Sequence, residues 1–237
     1  MSAASNSRRE FRQNRFQRPP GACEILLVRH GESAPYIEGV PHPLVDGQGD
    51  PPLDPAGVAQ AELAAERLVS TGEPISAVYV TSMQRTHQTA APLVARLGIT
   101  PRIEPDLREV NLGEWEGGEF RRMMAQGGPI VQQIHAEGRW DVIPGAESNE
   151  VFQARVRAGI ERIAAAHPDQ VVAAFVHGGV IGQVISIATG AQGFSFVGSD
   201  NASISHVVIT EDRWVMRCFN DTSHLTPTFT VAAEPLI

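Results

Sequence analysis

The sequence predicts an α/β fold built on a largely parallel sheet. Three observations carry that prediction. Short apolar runs at residues 24–28, 75–80 and 171–176 have strand length and alternate with segments of helical spacing. Two of those runs break off at a His-Gly pair, in Arg29-His30-Gly31 and in His177-Gly178-Gly179. Further on, runs at 203–209 and 213–219 flank Glu211-Asp212 and read as a hairpin.

Residues 24–28, Glu-Ile-Leu-Leu-Val, lack the alternation of a half-solvated strand and suit a sheet covered on both faces. A loop rich in Pro, Gly and Asp follows, from 32 to about 52. Asp54 before Pro55 is a helix start, an N-cap followed by proline at the first helical position. Val58, Ala61, Ala65 and Leu68 keep helical spacing, and Gly72 stops the helix. After the second strand, Ser82 is placed to cap a helix reaching Leu97 and closed by Gly98. A short extended piece around Arg102 and Ile103 leads to Leu107-Arg108-Glu109 and a loop through Gly113, Trp115 and Gly117. One helix is expected over 119–137. A stronger one is expected over 149–166, with Phe152, Val156, Ile160 and Ile163 on one face. The strand at 171–176 is the most apolar, and a helix follows it to about Thr189. The last dozen residues show no strong pattern.

The totals narrow the function classes. At 237 residues, with no repeat or long linker, the chain fits one large domain with a substantial core. The expected division is a disordered basic tail at 1–21, one domain at 22–226 and a C-terminal tail at 227–237. Residues 1–20 hold five arginines and one glutamate, a charge of +4. The formal total is −8, so the remainder carries −12. An acidic body argues against nucleic acid as partner. No apolar run is long enough to span a bilayer, and neither a secretory signal nor a disulfide framework is visible. A cytoplasmic location is the expectation. The sequence contains no lysine, which removes a Walker-type lysine and a lysine Schiff base from consideration. Phosphate chemistry here would rest on Arg, His and backbone N–H groups.

Ligands of open α/β sheets bind at the carboxyl ends of the strands. Arg29-His30-Gly31 and His177-Gly178-Gly179 both fall there, and Arg85 falls in the first turn of the helix after the second strand. The glycines admit close backbone approach to an anion, and the helix after Gly179 can aim N–H groups at it. Two guanidiniums and two imidazoles suit a tetrahedral phosphoryl group, because arginine forks pair bidentately with its oxygens.

These residues resemble the histidine phosphatase superfamily, also called phosphoglycerate-mutase-like. The resemblance rests on Leu27-Val28-Arg29-His30-Gly31-Glu32-Ser33, on Ser82-Met83-Gln84-Arg85, on the acidic segment 107–117 and on Val176-His177-Gly178-Gly179. Smaller echoes are Pro52-Leu53-Asp54-Pro55-Ala56-Gly57, Gly145-Ala146-Glu147-Ser148 and Asn220-Asp221-Thr222-Ser223-His224-Leu225. Together they cover about residues 23–225 in order. The family implies a three-layer sandwich, a mostly parallel sheet flanked by helices. It also implies a metal-independent phosphatase that takes small-molecule phosphate esters, needs no cofactor and forms a phosphohistidine.

In that scheme His30 is the nucleophile. Arg29, Arg85, His177 and the Gly178 backbone hold the phosphoryl oxygens, and Glu109 is the general acid and base, with Glu114 next in line. An acidic to neutral optimum follows from a carboxylic acid as proton donor. Tyr36 and Trp115 are candidates for the pocket rim. The remaining histidines, His42 among them, show no metal-ligand spacing and are given no chemistry. Cys23 and Arg29 satisfy the Cys-x5-Arg spacing of cysteine-dependent phosphatases, but the intervening residues read as a strand whose N–H groups enter a ladder.

Two other readings remain at this stage. Cofactor-dependent mutases share the pocket, but their Asn after the nucleophile is replaced here by the neighbourhood of Tyr36, and their basic segment is not recognisable. A non-catalytic phosphate-binding module is the second. The loop 34–51 is expected to form a lid or rim that tunes substrate choice. Neither the physiological substrate nor the oligomeric state is readable, a homodimer being the commonest assembly.

Overall fold

The structure, a computed structural model, describes residues 12–226. The expected tail at 227–237 lies outside them, and that at 1–21 lies partly outside. Within residues 12–21, Arg18 Nη1 donates to Glu24 Oε1 at 3.1 Å, and the Gly21 N–H donates to Asp169 Oδ1 at 2.7 Å.

In chain order the elements are β1 (Cys23–Arg29), β2 (Leu44–Val45), β3 (Gln48–Gly49), α1 (Pro55–Ser70), β4 (Ile75–Val80), α2 (Gln84–Leu97), β5 (Arg102–Ile103), α3 (Glu119–Gln126), α4 (Pro129–Glu137), α5 (Asn149–Ala166), β6 (Val171–Val176), α6 (Gly178–Thr189), β7 (Ile204–Ile209) and β8 (Trp214–Asp221). The main sheet runs β5-β4-β6-β1-β7-β8. Its first four strands are mutually parallel, and β7 pairs antiparallel with both β1 and β8.

The central strands β1, β4 and β6 are mostly apolar because both faces are covered, the polar exceptions being Glu24 and Arg29 of β1 and Ser76 of β4. On one face Cys23, Ile25 and Leu27 of β1 and Val172, Ala174 and Val176 of β6 pack with Phe152, Val156, Ile160 and Ile163 of α5 and with α6. On the other, Leu26, Val28, Ala173 and Phe175 pack with Ala64, Ala65 and Leu68 of α1 and with Leu93 of α2. The period-2 geometry of a strand sorts neighbouring residues into these two cores. The result is the three-layer α/β sandwich, its two helix–sheet interfaces built mainly of apolar side chains that would otherwise face water.

Four local expectations change. The loop after β1 contains the small β2–β3 hairpin, turned at Asp46 (φ 50°) and Gly47 (φ 81°). Two consecutive positive φ values are what a two-residue hairpin loop requires, and Asp-Gly supplies them. The expected helix over 119–137 is two helices, broken at Gly127 (φ 71°) and Gly128 (φ 125°), with Pro129 opening the second. Val58 is 54% exposed, and Gly57 takes the inward place on α1. A Cβ on Gly57 would lie 1.9 Å from the Glu32 carbonyl oxygen, so that contact demands glycine. Ser82 does not cap α2. Asp50 Oδ1, from after the hairpin, accepts the Gln84 N–H at 2.9 Å instead. No helix among the described residues is long and apolar enough to cross a membrane.

Candidate active site

Parallel pairing of β1 with β6 in the register Arg29↔Val176 sets His30 and His177 side by side at adjacent strand ends. The His30 N–H donates to the Val176 carbonyl at 2.9 Å, which fixes this alignment. The two rings stand edge to face with centroids 5.2 Å apart and planes at 64°. Because β4 flanks β6 on its other side, the first turn of α2 brings Arg85 to the same place. Arg29, His30, Arg85, Glu109 and Gly178 all line one cavity of about 500 Å³.

The protonation state of His30 follows from its contacts. Nδ1 lies 2.8 Å from the Gly31 carbonyl oxygen, which only accepts, so Nδ1 carries the hydrogen and Nε2 the lone pair. Burial, then the Arg85 and Arg29 charges, hold its proton affinity well below the ordinary histidine value. A neutral imidazole with an available Nε2 is a nucleophile at neutral pH.

His177 differs from the expectation. It is fully buried, and both its nitrogens are engaged. Arg85 Nη2 is 3.2 Å from Nδ1, so Nδ1 accepts and the ring is neutral. Nε2–H then donates to Thr81 Oγ1 at 3.1 Å. Burial and the Arg85 charge both lower its proton affinity, in agreement. Through its Nδ1 contact His177 braces the Arg85 guanidinium.

Arg85 is a buried cation and Arg29 a half-buried one. Arg85 is 8% exposed and donates to the Gly49 carbonyl at 3.1 Å, with Asp50 Oδ1 at 3.5 Å. Arg29 donates to the Ser199 carbonyl, and its Nε is buried without a partner. Desolvation is the largest influence on each, lowering its proton affinity. A guanidinium in this state is incompletely compensated and suits an incoming anion.

Glu109 reaches the cavity from the segment after β5. Its Oε2 accepts the Gly179 N–H at 3.0 Å in the first turn of α6, and Oε1 accepts the Val110 N–H at 3.0 Å. A Cβ on Gly179 would fall 2.4 Å from Oε1, so the carboxylate sits where only glycine leaves room. Arg155 of α5 secures the segment by donating to the Asp106, Arg108 and Glu109 carbonyls and to both Glu147 oxygens, all at 2.6–2.8 Å. Glu114 is exposed, and Glu116 accepts the Leu112 and Gly49 N–H groups.

At the rim, Trp115 is 6% exposed and lines the cavity wall. Tyr36 stands behind the wall: its hydroxyl donates to Glu119, and its ring lies 6.1 Å from that of His42. Several contributors escaped sequence reasoning. Asn201 Nδ2 donates to the His30 carbonyl at 3.0 Å, Gln48 Nε2 to the Glu109 carbonyl at 2.7 Å, and Arg121 lines the cavity. Gly145-Ala146-Glu147 was the one visible signal for the Arg155 clamp. Cys23 is buried in β1 opposite Ile209, and burial pushes its thiol up to about 12, so no thiolate or phosphate-binding loop forms there. Among the described residues no cluster of three His, Cys, Asp or Glu side chains could hold a metal ion.

Known proteins resemble this chain in sequence and in fold. The profile described as the histidine phosphatase superfamily (branch 1) matches residues 25–222. A metal-independent phosphoserine phosphatase of Arabidopsis thaliana is 30% identical over 207 residues, covering 86% of this chain and 83% of its own. A solved mycobacterial glucosyl-3-phosphoglycerate phosphatase superposes with a TM-score of 0.69 at 25% identity, over 85% of this chain and 100% of that one. A phosphoglycerate mutase from Bacillus anthracis shares the fold, with a TM-score of 0.70 at 21% identity over 87% and 96% of the two chains.

Proposed function

The chain belongs to the histidine phosphatase superfamily, branch 1, and from that membership we propose that it hydrolyses phosphate monoesters, without a metal, through a phosphohistidine on His30. The observation that carries this reading is the neutral His30 ring, with Nδ1–H tied to the Gly31 carbonyl and Nε2 left as the lone-pair nitrogen, in a cavity lined by the Arg29 and Arg85 guanidiniums.

Nε2 attacks phosphorus in line, the N–P bond forms, and the bond to the ester oxygen breaks. Arg29 and Arg85 hold the phosphoryl oxygens and offset charge as it spreads over them. His177 keeps Arg85 in place, and the Gly178 end of α6 presents backbone N–H groups to the anion. Glu109 gives its proton to the departing alkoxide. The same carboxylate then takes a proton from water, whose oxygen attacks phosphorus. The N–P bond breaks, and inorganic phosphate and neutral His30 result.

Incubation with p-nitrophenyl phosphate tests the reading. Turnover should persist in EDTA, quenched enzyme should carry acid-labile phosphate, and His30→Ala should show neither. A wild-type protein that never becomes phosphorylated under turnover would reject it.

A further inference from the structure

Nε2 of His30 keeps its lone pair only while Nδ1 keeps its hydrogen, and that depends on where the Gly31 carbonyl stands. The carbonyl follows the peptide unit before it, between His30 and Gly31, which is held from three sides. Its N–H donates to Thr89 Oγ1 at 3.0 Å. Its C=O accepts from Asn201 Nδ2 at 3.0 Å and from the Ala202 N–H at 3.3 Å. Gly31 itself packs against α1, where a Cβ would fall 2.5 Å from the Gly57 carbonyl oxygen.

Thr89 comes from furthest away among the side chains of α2 that could do this. It lies one helical turn beyond Arg85, 58 residues from Gly31, and is fully buried. A helical threonine commonly turns its hydroxyl to the carbonyl four residues back. Thr89 does so too: its Oγ1–H donates to the Arg85 carbonyl at 2.7 Å. With that hydrogen committed, the same oxygen can only accept, and it accepts the Gly31 N–H. One buried atom therefore joins the backbone of Arg85 to the backbone of the His30–Gly31 peptide. A valine of the same shape would leave that N–H buried and unpaired, which the peptide could relieve only by turning.

We propose that Thr89 is a positioning residue for the nucleophile: with Asn201 it locks the His30–Gly31 peptide, so that the Gly31 carbonyl keeps His30 in its Nδ1–H tautomer and leaves Nε2 to attack. Thr89 acts on catalysis only through His30, and the assignment rests on the phosphatase reading above.

The test is Thr89→Val, which keeps the shape and removes both hydrogen bonds. One readout is steady-state kinetics on p-nitrophenyl phosphate. The other is the long-range proton–nitrogen NMR spectrum of protein carrying nitrogen-15 histidine, with His30 assigned by its absence from His30→Gln protein. Wild-type His30 should show one tautomer, protonated at Nδ1. Thr89→Val should populate the Nε2–H tautomer as well. It should also lower kcat roughly tenfold or more with KM within about threefold, because a misplaced nucleophile loses rate and not binding. Thr89→Ser, which retains the hydroxyl, should show the wild-type tautomer and recover most of the rate. A Thr89→Val protein that is merely less stable, with His30 still in one tautomer or kcat within about twofold, overturns the proposal. So does a Thr89→Ser variant no better than Thr89→Val, a loss confined to KM, or a wild-type His30 protonated at Nε2. Should Thr89→Val fail to fold, Asn201→Ala loosens the other side of the peptide and must show the same second tautomer. The spectra need no turnover. An inactive wild type would therefore sink the phosphatase reading, while the positioning role stands or falls on the tautomer.

Discussion

His30 and His177 occupy neighbouring strand ends with ring centroids 5.2 Å apart, yet their nitrogens are engaged differently. His30 Nδ1 is tied to a carbonyl, leaving Nε2 for chemistry, whereas both His177 nitrogens are committed, to Arg85 and to Thr81. The variants should separate accordingly. His30→Ala should lose about a thousandfold or more in kcat, together with the phosphoenzyme. His177→Ala should still form phosphoenzyme, more slowly, with KM raised as Arg85 loses its support. Rapid-quench measurement of the acid-labile phosphate distinguishes the two. Loss of all phosphoenzyme in His177→Ala would show that its imidazole touches the transferred group.

The same two histidines set a pH dependence. Each has a folded-state proton affinity well below its unfolded one, chiefly through burial. Below the ordinary histidine value near 6.5 the unfolded chain binds more protons than the folded one, so stability falls as pH falls through that point. It levels off below the folded-state values. Thermal unfolding midpoints should therefore drop from pH 7 to pH 5, by less in a His177→Asn variant. Activity should behave differently: the nucleophile stays neutral below pH 6.5, so the acid limb of kcat/KM should lie well beneath that value. An acid limb centred near 6.5 would assign His30 an ordinary, exposed environment.

Cys23→Ala should keep wild-type kcat/KM within about twofold and lose about 1 kcal/mol of stability, as a small truncation in a close-packed strand does. Cys23 lies in β1 opposite Ile209, fully buried. Urea unfolding read alongside the assay checks both halves, and an inactive but folded variant would reopen cysteine chemistry.

Much of this site was legible because strand ends are punctuated in the sequence. The apolar runs at 75–80 and 171–176 and the helix at 149–166 match β4, β6 and α5 residue for residue, since burial on both faces and a strong 3.6-residue period are local signals. What escaped depends on contacts between segments far apart in the chain. Asp50 caps α2 from 34 residues away, which no reading of Ser82 could reveal. Arg155 looks like one more arginine on a helix, and its carbonyl partners lie 46–49 residues upstream. The β2–β3 hairpin and the break at Gly127-Gly128 were different: Asp46-Gly47 and Gly-Gly-Pro are turn signals in plain view, outweighed by a loop composition in one case and helical spacing in the other.

Arg155→Met should destabilise the protein by about 2–3 kcal/mol. Breaking a buried ion pair costs somewhat more than that, and the discount reflects side-chain exposures of 19% for Arg155 and 12% for Glu147. The Arg155→Met/Glu147→Gln double variant should be less destabilised than the sum of the singles, because each single strands the other charge. Chemical denaturation checks this, and strict additivity would mean that the clamp holds only the carbonyls.

Gly179→Ala probes Glu109, the proposed general acid, without removing it. The new Cβ would lie 2.4 Å from Glu109 Oε1, whereas at Gly178 the nearest atom is Arg29 Nε, at 3.3 Å. The first contact forces the carboxylate aside, and the second asks only for a small shift. A catalytic group displaced by about 1 Å loses roughly a hundredfold in rate. The loss should depend on the ester, because p-nitrophenolate departs with little help while an alkoxide needs the proton. Gly179→Ala should therefore cost about a hundredfold on glycerol 3-phosphate and about tenfold or less on p-nitrophenyl phosphate, with Gly178→Ala milder on both. Equal losses on the two esters would place Glu109 outside proton transfer and make the Gly179 contact a matter of packing.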